Sequence, residues 1–114
     1  MKFLLQVRFN GADKAIGALS PGEQQKLTDE FITIRQSPGV LDGSQLQAAS
    51  EAATVRMRDE QTQVTAGPPT EAGCELDGYY VYDAPGLDAA VAFATRIPVV
   101  RFGGTVEVRP VLER

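Results

Sequence analysis

The sequence has 114 residues, 43% hydrophobic and 23% charged, a composition typical of one globular domain. Its net charge of −4 and its scattered basic residues give no reason to expect binding to nucleic acid or to an anionic membrane. The chain has no histidine and one cysteine, Cys74, which excludes an internal disulfide, histidine-based catalysis and histidine-rich metal sites. No apolar run is long enough for a secretion signal or a membrane span, so we expect a cytoplasmic protein without a metal or other cofactor.

The N-terminal part of the chain predicts one strand and one helix. Apolar residues alternate over residues 2–9, which indicates a strand. Ser20 and Glu23 have the spacing of a capping box, and Pro21 suits the first helical position. The helix then carries an apolar stripe at spacings of four and three, before a Ser-Pro-Gly segment ends it; the stripe is Leu27, Phe31 and Ile34.

Residues 53–65 predict a β-hairpin with a two-residue turn at Asp59 and Glu60. That turn pairs Arg58 with Gln61, Arg56 with Gln63 and Val55 with Val64. One face is then mainly apolar, and we expect it to pack on the core; it carries Val55, Met57, Thr62 and Val64. The other face is either solvated or lines a polar cavity or interface; it carries Arg56, Arg58, Gln61 and Gln63.

The C-terminal part predicts a strand in GYYVYDA, a helix that begins at residues 83–86, and a last strand in TVEVRPVL. In that last strand Val106 and Val108 share a face. The helix is expected to bury one stripe, made of Leu87, Ala90, Val91, Ala94 and Ile97. The order β-α-β-β-β-α-β indicates an α+β sandwich, ferredoxin-like with an extra hairpin strand, in a single domain over residues 1–114. Its open second face predicts a homodimer.

Three segments together resemble the YCII-related family, in particular its DGPF branch: TVRMRDEQTQVTAGPPTEA, GYYVYDAPGLDAAVAFATRIP and GGTVEVRPVLE. The resemblance runs from about Ala53 to Glu113 and depends on the order and spacing of these segments. The branch has a Val-Thr-Asp-Gly-Pro-Phe loop where this chain has Val-Thr-Ala-Gly-Pro-Pro, so that Ala66 replaces its aspartate. In other relatives a His-Asp pair has been proposed as the site, and this chain, which has no histidine, cannot form one.

The resemblance implies a ferredoxin-like fold that assembles as a dimeric α/β barrel, and it implies no firm activity. Many members of the branch are similar to proteins encoded beside, or fused to, extracytoplasmic-function (ECF) sigma factors. A few YCII-like proteins are dehydrochlorinase-type enzymes. A regulatory protein such as a sigma factor is therefore an expected partner beside the second copy of the chain.

The candidate ligand site is a cleft in the dimer whose arginines would suit a small anionic ligand. Its predicted residues are Arg56, Thr65, Gly67, Tyr80, Glu107 and Arg109. Each has a structural alternative: the Gly-Pro-Pro loop as a turn, the tyrosine as a packing residue, and the charged pair as surface ion pairs. Cys74 has no histidine partner and only acidic neighbours, so it is interpreted as a loop cysteine.

Two functions remain open from the sequence. The first is a non-catalytic small-ligand-binding or regulatory accessory dimer, which the missing histidine and the replaced aspartate favour. The alternative is a small-molecule enzyme, lyase- or isomerase-like, with its site in the cleft. A deep pocket with a convergent glutamate or tyrosine would favour the enzyme, and a filled apolar cleft would disfavour it.

Overall fold

The computed structural model describes residues 1–113 as an α+β fold with two antiparallel sheets and three helices. The strands are β1 (Lys2–Arg8), β2 (Val40–Gln45), β3 (Ala53–Arg58), β4 (Gln61–Ala66), β5 (Gly78–Asp83) and β6 (Thr105–Pro110). The helices are α1 (Ala12–Gly17), α2 (Pro21–Arg35) and α3 (Leu87–Ala94), with 3₁₀ turns at Ala49–Glu51 and Pro98–Phe102. No helix in the described part is long and apolar enough to cross a membrane.

The main sheet has the strand order β2-β5-β1-β6 with antiparallel pairing throughout. Counted without the hairpin, this is the order of a split βαβ arrangement, consistent with the predicted ferredoxin-like fold. The edge strand β2 was not predicted, because Asp42 and Gly43 interrupt any apolar alternation. Gly43 is required there: a Cβ atom on it would lie 2.5 Å from Cδ1 of the Tyr80 ring.

One face of the main sheet, the helix face, packs on the helices and forms the core. Phe3 and Leu5 are completely buried on it, and Val106 and Val108 lie beside them as the alternation predicted. Tyr82 stacks on Phe93 of α3 with ring centroids 4.1 Å apart. The opposite face, the open face, has no helix against it in the described residues; it carries Leu4, Gln6, Arg8, Tyr79 and Val81.

The sequence predicted α2 correctly, α3 in part and α1 not at all. Ser20 caps α2 with the predicted capping box, and Leu27 and Ile34 of its stripe are buried. The stripe predicted for α3 was wrong in part, because Leu87 and Val91 are exposed. Ala90, Ala94 and Ile97 are buried as predicted, and Phe93, which was not predicted, is buried with them. Helix α1 was not predicted.

The hairpin of β3 and β4, residues 53–66, forms a separate two-stranded sheet, here called the arm. Its register is the predicted one, and both turn residues, Asp59 and Glu60, have the positive φ angles of a type I′ turn. The expectation that its apolar face packs on the core was wrong. Val55, Met57 and Val64 are 65%, 70% and 65% exposed, because the arm projects away from the sandwich.

The dimensions of the molecule agree with a projecting arm. The radius of gyration is 16.0 Å, whereas a compact domain of this length is expected near 13 Å, roughly. The arm is anchored only at its root. There the Thr54 hydroxyl donates to the Gly67 carbonyl at 2.7 Å, and the Gly67 N–H donates to the Ala52 carbonyl at 2.7 Å.

Candidate functional site

The six residues of the predicted cleft lie in three separate places within one chain. Arg56 and Thr65 are on the polar face of the arm, and Gly67 is at its root. Glu107 and Arg109 lie on the open face of the main sheet. Tyr80 lies on the helix face, paired with Leu5 in the neighbouring strand, so the sheet itself separates it from the charged pair.

On the open face, the charged residues form ion pairs with one another. The Glu107 carboxylate pairs with Arg109, lies 3.5 Å from Nη1 of Arg8 and accepts from Nε2 of Gln6. Arg8 in turn donates to the Gln6 side chain at 3.1 Å. Within one chain, this arrangement is the ladder of surface ion pairs that the sequence offered as the structural alternative.

The Gly-Pro-Pro loop has the geometry of a turn. Gly67 has a φ of 91°, a left-handed value that favours glycine, and its N–H is already engaged with Ala52. Pro68 and Pro69 line a second, shallow cavity of about 410 Å³ at the root of the arm, together with the exposed Cys74. Because the Gly67 N–H already donates to Ala52, it is not available to bind an anion in this loop.

A cavity of about 520 Å³, larger than the one at the root of the arm, lies between α1, α2 and the main sheet, and we call it the helix–sheet cavity. Its walls are mainly apolar and come from all three elements: Val7, Phe9, Ile16, Leu27, Phe31 and Ile32. Nine residues with polar side chains are also among the lining residues, although Tyr79 carries its side chain on the open face: Asp13, Gln24, Thr28, Arg35, Ser44, Gln45, Asp77, Tyr79 and Tyr80. A concave, mainly apolar space of this volume with few polar groups is typical of small-molecule sites.

Tyr80 lines this cavity and carries a phenolic hydroxyl. No hydrogen bond within residues 1–113 engages that hydroxyl, and no unpartnered side-chain polar atom there is fully buried, so the hydroxyl keeps some exposure and is free to bond a ligand. Burial raises the pKa of Tyr80 above its ordinary value, and the positive charge of Arg35 offsets part of that rise. The group is therefore a neutral hydrogen-bond donor at physiological pH.

Arg35 and Asp77 are the cavity residues that the sequence reasoning missed. Arg35 follows Phe31 by four positions, as Phe31 follows Leu27, so the helical stripe already placed it on the cavity side. Asp77 directly precedes β5, and its Oδ2 accepts from the Phe9 N–H at 2.7 Å. Nothing in the sequence pattern pointed to Asp77, because that contact joins residues distant in the chain.

A metal site is not among the features of the described chain. Residues 1–113 contain no group of three or more histidine, cysteine, aspartate or glutamate side chains placed to hold an ion. Asp13 and Asp77 are the carboxylates that line the helix–sheet cavity. The groups available to a ligand there are thus a phenol, a guanidinium, carboxylates and amides.

The family of the protein follows from comparison with known sequences. The chain matches the model of the YCII-related domain over residues 19–114, and it therefore belongs to the YCII-related family. The match extends beyond the segments that first showed the resemblance, because it also includes α2 and β2. No curated protein matches the sequence.

Proposed function

We propose that this YCII-related protein binds a small molecule in the helix–sheet cavity, does not transform it, and acts as a homodimeric regulatory accessory. The observation that carries the proposal is the cavity itself, with apolar walls and the unpartnered Tyr80 hydroxyl. Because the pKa of Tyr80 is raised, its hydroxyl is suited to donate a hydrogen bond and poorly suited to remove a proton. These are properties of a binding site.

Ligand binding is tested by filling the cavity. Thr28→Phe places a ring in the cavity from α2, whereas Thr33→Phe is the matched control on another face of the same helix. Both threonines donate to the carbonyl four residues earlier, so both variants lose the same local bond. Native mass spectrometry of protein purified from its own host should show a retained mass in the wild type and in Thr33→Phe, but none in Thr28→Phe.

The outcomes of this experiment separate clearly. A molecule retained equally by all three proteins would place the ligand outside the cavity and contradict the proposal. So would a wild-type protein that is empty in its host and that binds nothing in a small-molecule screen. Retention by the wild type and the control alone would support the proposal and give the ligand's mass.

The homodimer is supported by two uncovered surfaces of the single chain. The apolar face of the arm exposes Val55, Met57 and Val64, and the open face of the sheet alternates Leu4, Tyr79 and Val81 with polar residues. A second copy related by a two-fold axis would cover both. Such a pairing corresponds to the dimeric α/β barrel of the family resemblance. It would also be the way to bring Arg56, Thr65 and Gly67 near Glu107 and Arg109, around a small anionic ligand.

The dimer is tested with one charge placed on either face of β4. Val64→Asp puts a carboxylate on the apolar face, and Gln63→Asp puts the same group one residue away on the polar face. Sedimentation equilibrium should show a monomer for Val64→Asp and a dimer for both the wild type and Gln63→Asp. A wild-type monomer, or equal dimers of both variants, would contradict the proposed interface.

The regulatory part of the proposal follows the DGPF-branch resemblance. The partner we propose is an ECF sigma factor in the cytoplasm, which would respond to whether the cavity is filled. Co-purification of the dimer with an ECF sigma factor from its own host should differ between the wild type and Thr28→Phe. No association in either protein would remove the regulatory role and leave ligand binding untouched.

A second candidate, a lyase- or isomerase-like enzyme, is favoured by one observation. Asp77 and Tyr80 line the same cavity, and a carboxylate and a phenol are able to act as base and acid in proton transfer. Tyr80→Phe should then retain the bound molecule but abolish its conversion, followed by NMR of the ligand. An unchanged ligand spectrum over many hours with the wild type would exclude the enzyme.

A further inference from the structure

The positive and negative side chains that line the helix–sheet cavity lie at its opposite ends. Arg35 lines one end, near the C-terminus of α2, and Tyr80 lies within the field of its positive charge. Gln24 lines the other end, and the helix rises roughly 16 Å between these two residues. The cavity is therefore elongated along α2, with its cation at one extremity.

The opposite extremity carries negative charge. Asp77 precedes Tyr80 by three strand positions, which is roughly 10 Å. The Asp77 carboxylate accepts a hydrogen bond from the Phe9 N–H, and the Phe9 carbonyl accepts one from the Ala12 N–H at 2.8 Å. These two bonds hold the first turn of α1, and with it Asp13, at the same end of the cavity as Asp77. Arg35 is the only lysine or arginine among the residues that line the cavity, so these carboxylates have no cationic partner within it.

The groups at both ends have capacity left for a ligand. The Oδ2 atom of Asp77 accepts one hydrogen bond, and no other bond to its carboxylate occurs within residues 1–113. Nη2 of Arg35 lies 3.9 Å from Oδ1 of the exposed Asp42, too far for a hydrogen bond. The Tyr80 hydroxyl beside Arg35 is unpartnered as well. Between the two ends, the walls are hydrocarbon from Val7, Leu27 and Phe31.

From this arrangement we infer that the cavity takes a short, linear ω-amino carboxylic acid. Its carboxylate is held by the Arg35 guanidinium and the Tyr80 hydroxyl, its ammonium group by Asp77 and Asp13, and its methylene chain by the apolar walls. In an extended six-carbon ω-amino acid, the six bonds of about 1.5 Å from the carboxylate carbon to the ammonium nitrogen span roughly 7.5 Å, which fits between side chains that reach inward from both ends. The inference rests on the proposed ligand-binding function and specifies the ligand class for that site.

The test is an NMR titration of the ¹⁵N-labelled protein with three probes of equal chain length. 6-Aminohexanoate carries both charges, hexanoate only the carboxylate, and hexylamine only the ammonium group. We expect 6-aminohexanoate to bind at least about ten-fold tighter than either of the others, because it makes a charge-assisted bond at both ends. Shifts should concentrate at cavity residues and be absent from the Thr28→Phe variant.

Variants at each end assign the two charges. Arg35→Gln should reduce the affinity for 6-aminohexanoate to that of hexylamine, and Asp77→Asn to that of hexanoate. Asparagine retains an oxygen for the Phe9 N–H, and Asp13→Asn is the second variant should that substitution disturb the fold. Arg58→Gln on the arm is the control that should change nothing.

The results distinguish this inference from the function on which it rests. Hexanoate or hexylamine binding as tightly as 6-aminohexanoate would overturn the dipolar ligand and leave the cavity as a binding site. The same holds if no probe binds although the wild type, and not Thr28→Phe, retains a molecule from its host. If no probe binds and no molecule is retained, both the inference and the proposed function fall.

Discussion

In β1, the alternating residues Phe3 and Leu5 are completely buried, whereas in the arm Val55 and Met57 alternate in the same way and stay largely exposed. Both segments pair with regular antiparallel registers. The difference is that β1 lies between two strands beneath the helices, while β3 has one partner strand and no layer against it. Alternation therefore shows that a strand has an apolar face, and other parts of the molecule decide whether that face is covered.

The largest expected effect contrasts a residue from each region. Leu5→Ala leaves a cavity in the core and should lower the free energy of unfolding by about 2–5 kcal/mol. Val64→Ala removes an exposed side chain and should change it by less than about 0.5 kcal/mol at protein concentrations where the chain is monomeric. Urea denaturation at several concentrations measures both.

A large cost of Val64→Ala at every concentration would show that the chain covers its own arm, contrary to the structure. A cost that grows with protein concentration would instead indicate that a second copy covers it, because dimerisation adds stability by mass action.

A second contrast examines how tightly the sandwich is packed at β2. Gly43→Ala forces the new methyl group against the Tyr80 ring and should destabilise the protein by about 1–3 kcal/mol. Gly22→Ala in the first turn of α2 meets no atom within 4 Å and should be neutral or slightly stabilising. Thermal unfolding compares the two variants, and an equal loss in both would argue against the close approach of Gly43 to Tyr80.

A smaller effect concerns the turn of the arm. Asp59 and Glu60 have positive φ angles that Asn-Gly adopts more readily, so the double substitution to Asn-Gly should stabilise the arm by about 0.5–1 kcal/mol. We expect the arm, whose strands pair only with each other, to unfold separately from the sandwich, so hydrogen exchange should slow in β3 and β4 and stay unchanged in β1. Equal slowing in both regions would mean that they unfold as one unit.

The smallest effect belongs to an ion pair on the surface of the sandwich. Both guanidinium nitrogens of Arg101 donate to Glu30, at 2.8 and 2.9 Å, and these bonds hold the pKa of Glu30 below its ordinary value of 4.5. A lowered pKa contributes stability above pH 4.5, and this contribution is lost as the pH falls through the folded-state pKa. Both side chains are largely exposed, so the contribution should be under about 1 kcal/mol.

Glu30→Gln measures that contribution. The variant should be slightly less stable than the wild type at pH 7, and the difference should disappear as the pH is lowered well below 4.5. Asp29→Asn, one position along the same helix, is the control, since its carboxylate accepts from Gln25 and from no arginine. A difference that persists unchanged in acid would assign it to something other than the ion pair.

Local signals in the sequence predicted local structure well. The capping box at Ser20 and the register of the arm were correct, because each depends on residues within a few positions of one another. Strand β2 and the burial of Phe93 on α3 were missed, because Gly43 is explained by its contact with Tyr80 and Phe93 by its contact with Tyr82, each in another element of the fold. These contacts form only once the sheet exists.

The helix–sheet cavity shares only Tyr80 with the predicted dimer cleft, and that cleft stays a prediction. Tyr80 was identified by its chemistry, but its predicted neighbours on the arm and the open face lie elsewhere in the single chain. Its actual neighbour Arg35 follows the apolar stripe of α2, and Asp77 is placed by a backbone contact with Phe9. Finding the cavity required knowing that α2 crosses that part of the sheet.

The connection that carries the arm leaves and re-enters the main sheet at one point. Gln45 ends β2 opposite Gly78, which begins β5, and the next N–H along, that of Leu46, donates to the Asp77 carbonyl at 2.9 Å. Residues 46–77 are therefore an insertion whose two ends lie side by side on the paired strands β2 and β5. A short hairpin turn could connect the same two strand ends. We therefore expect the sandwich to accept insertions of different length and sequence at this position. The residues at the insertion point, Gln45, Asp77 and Gly78, also line the helix–sheet cavity.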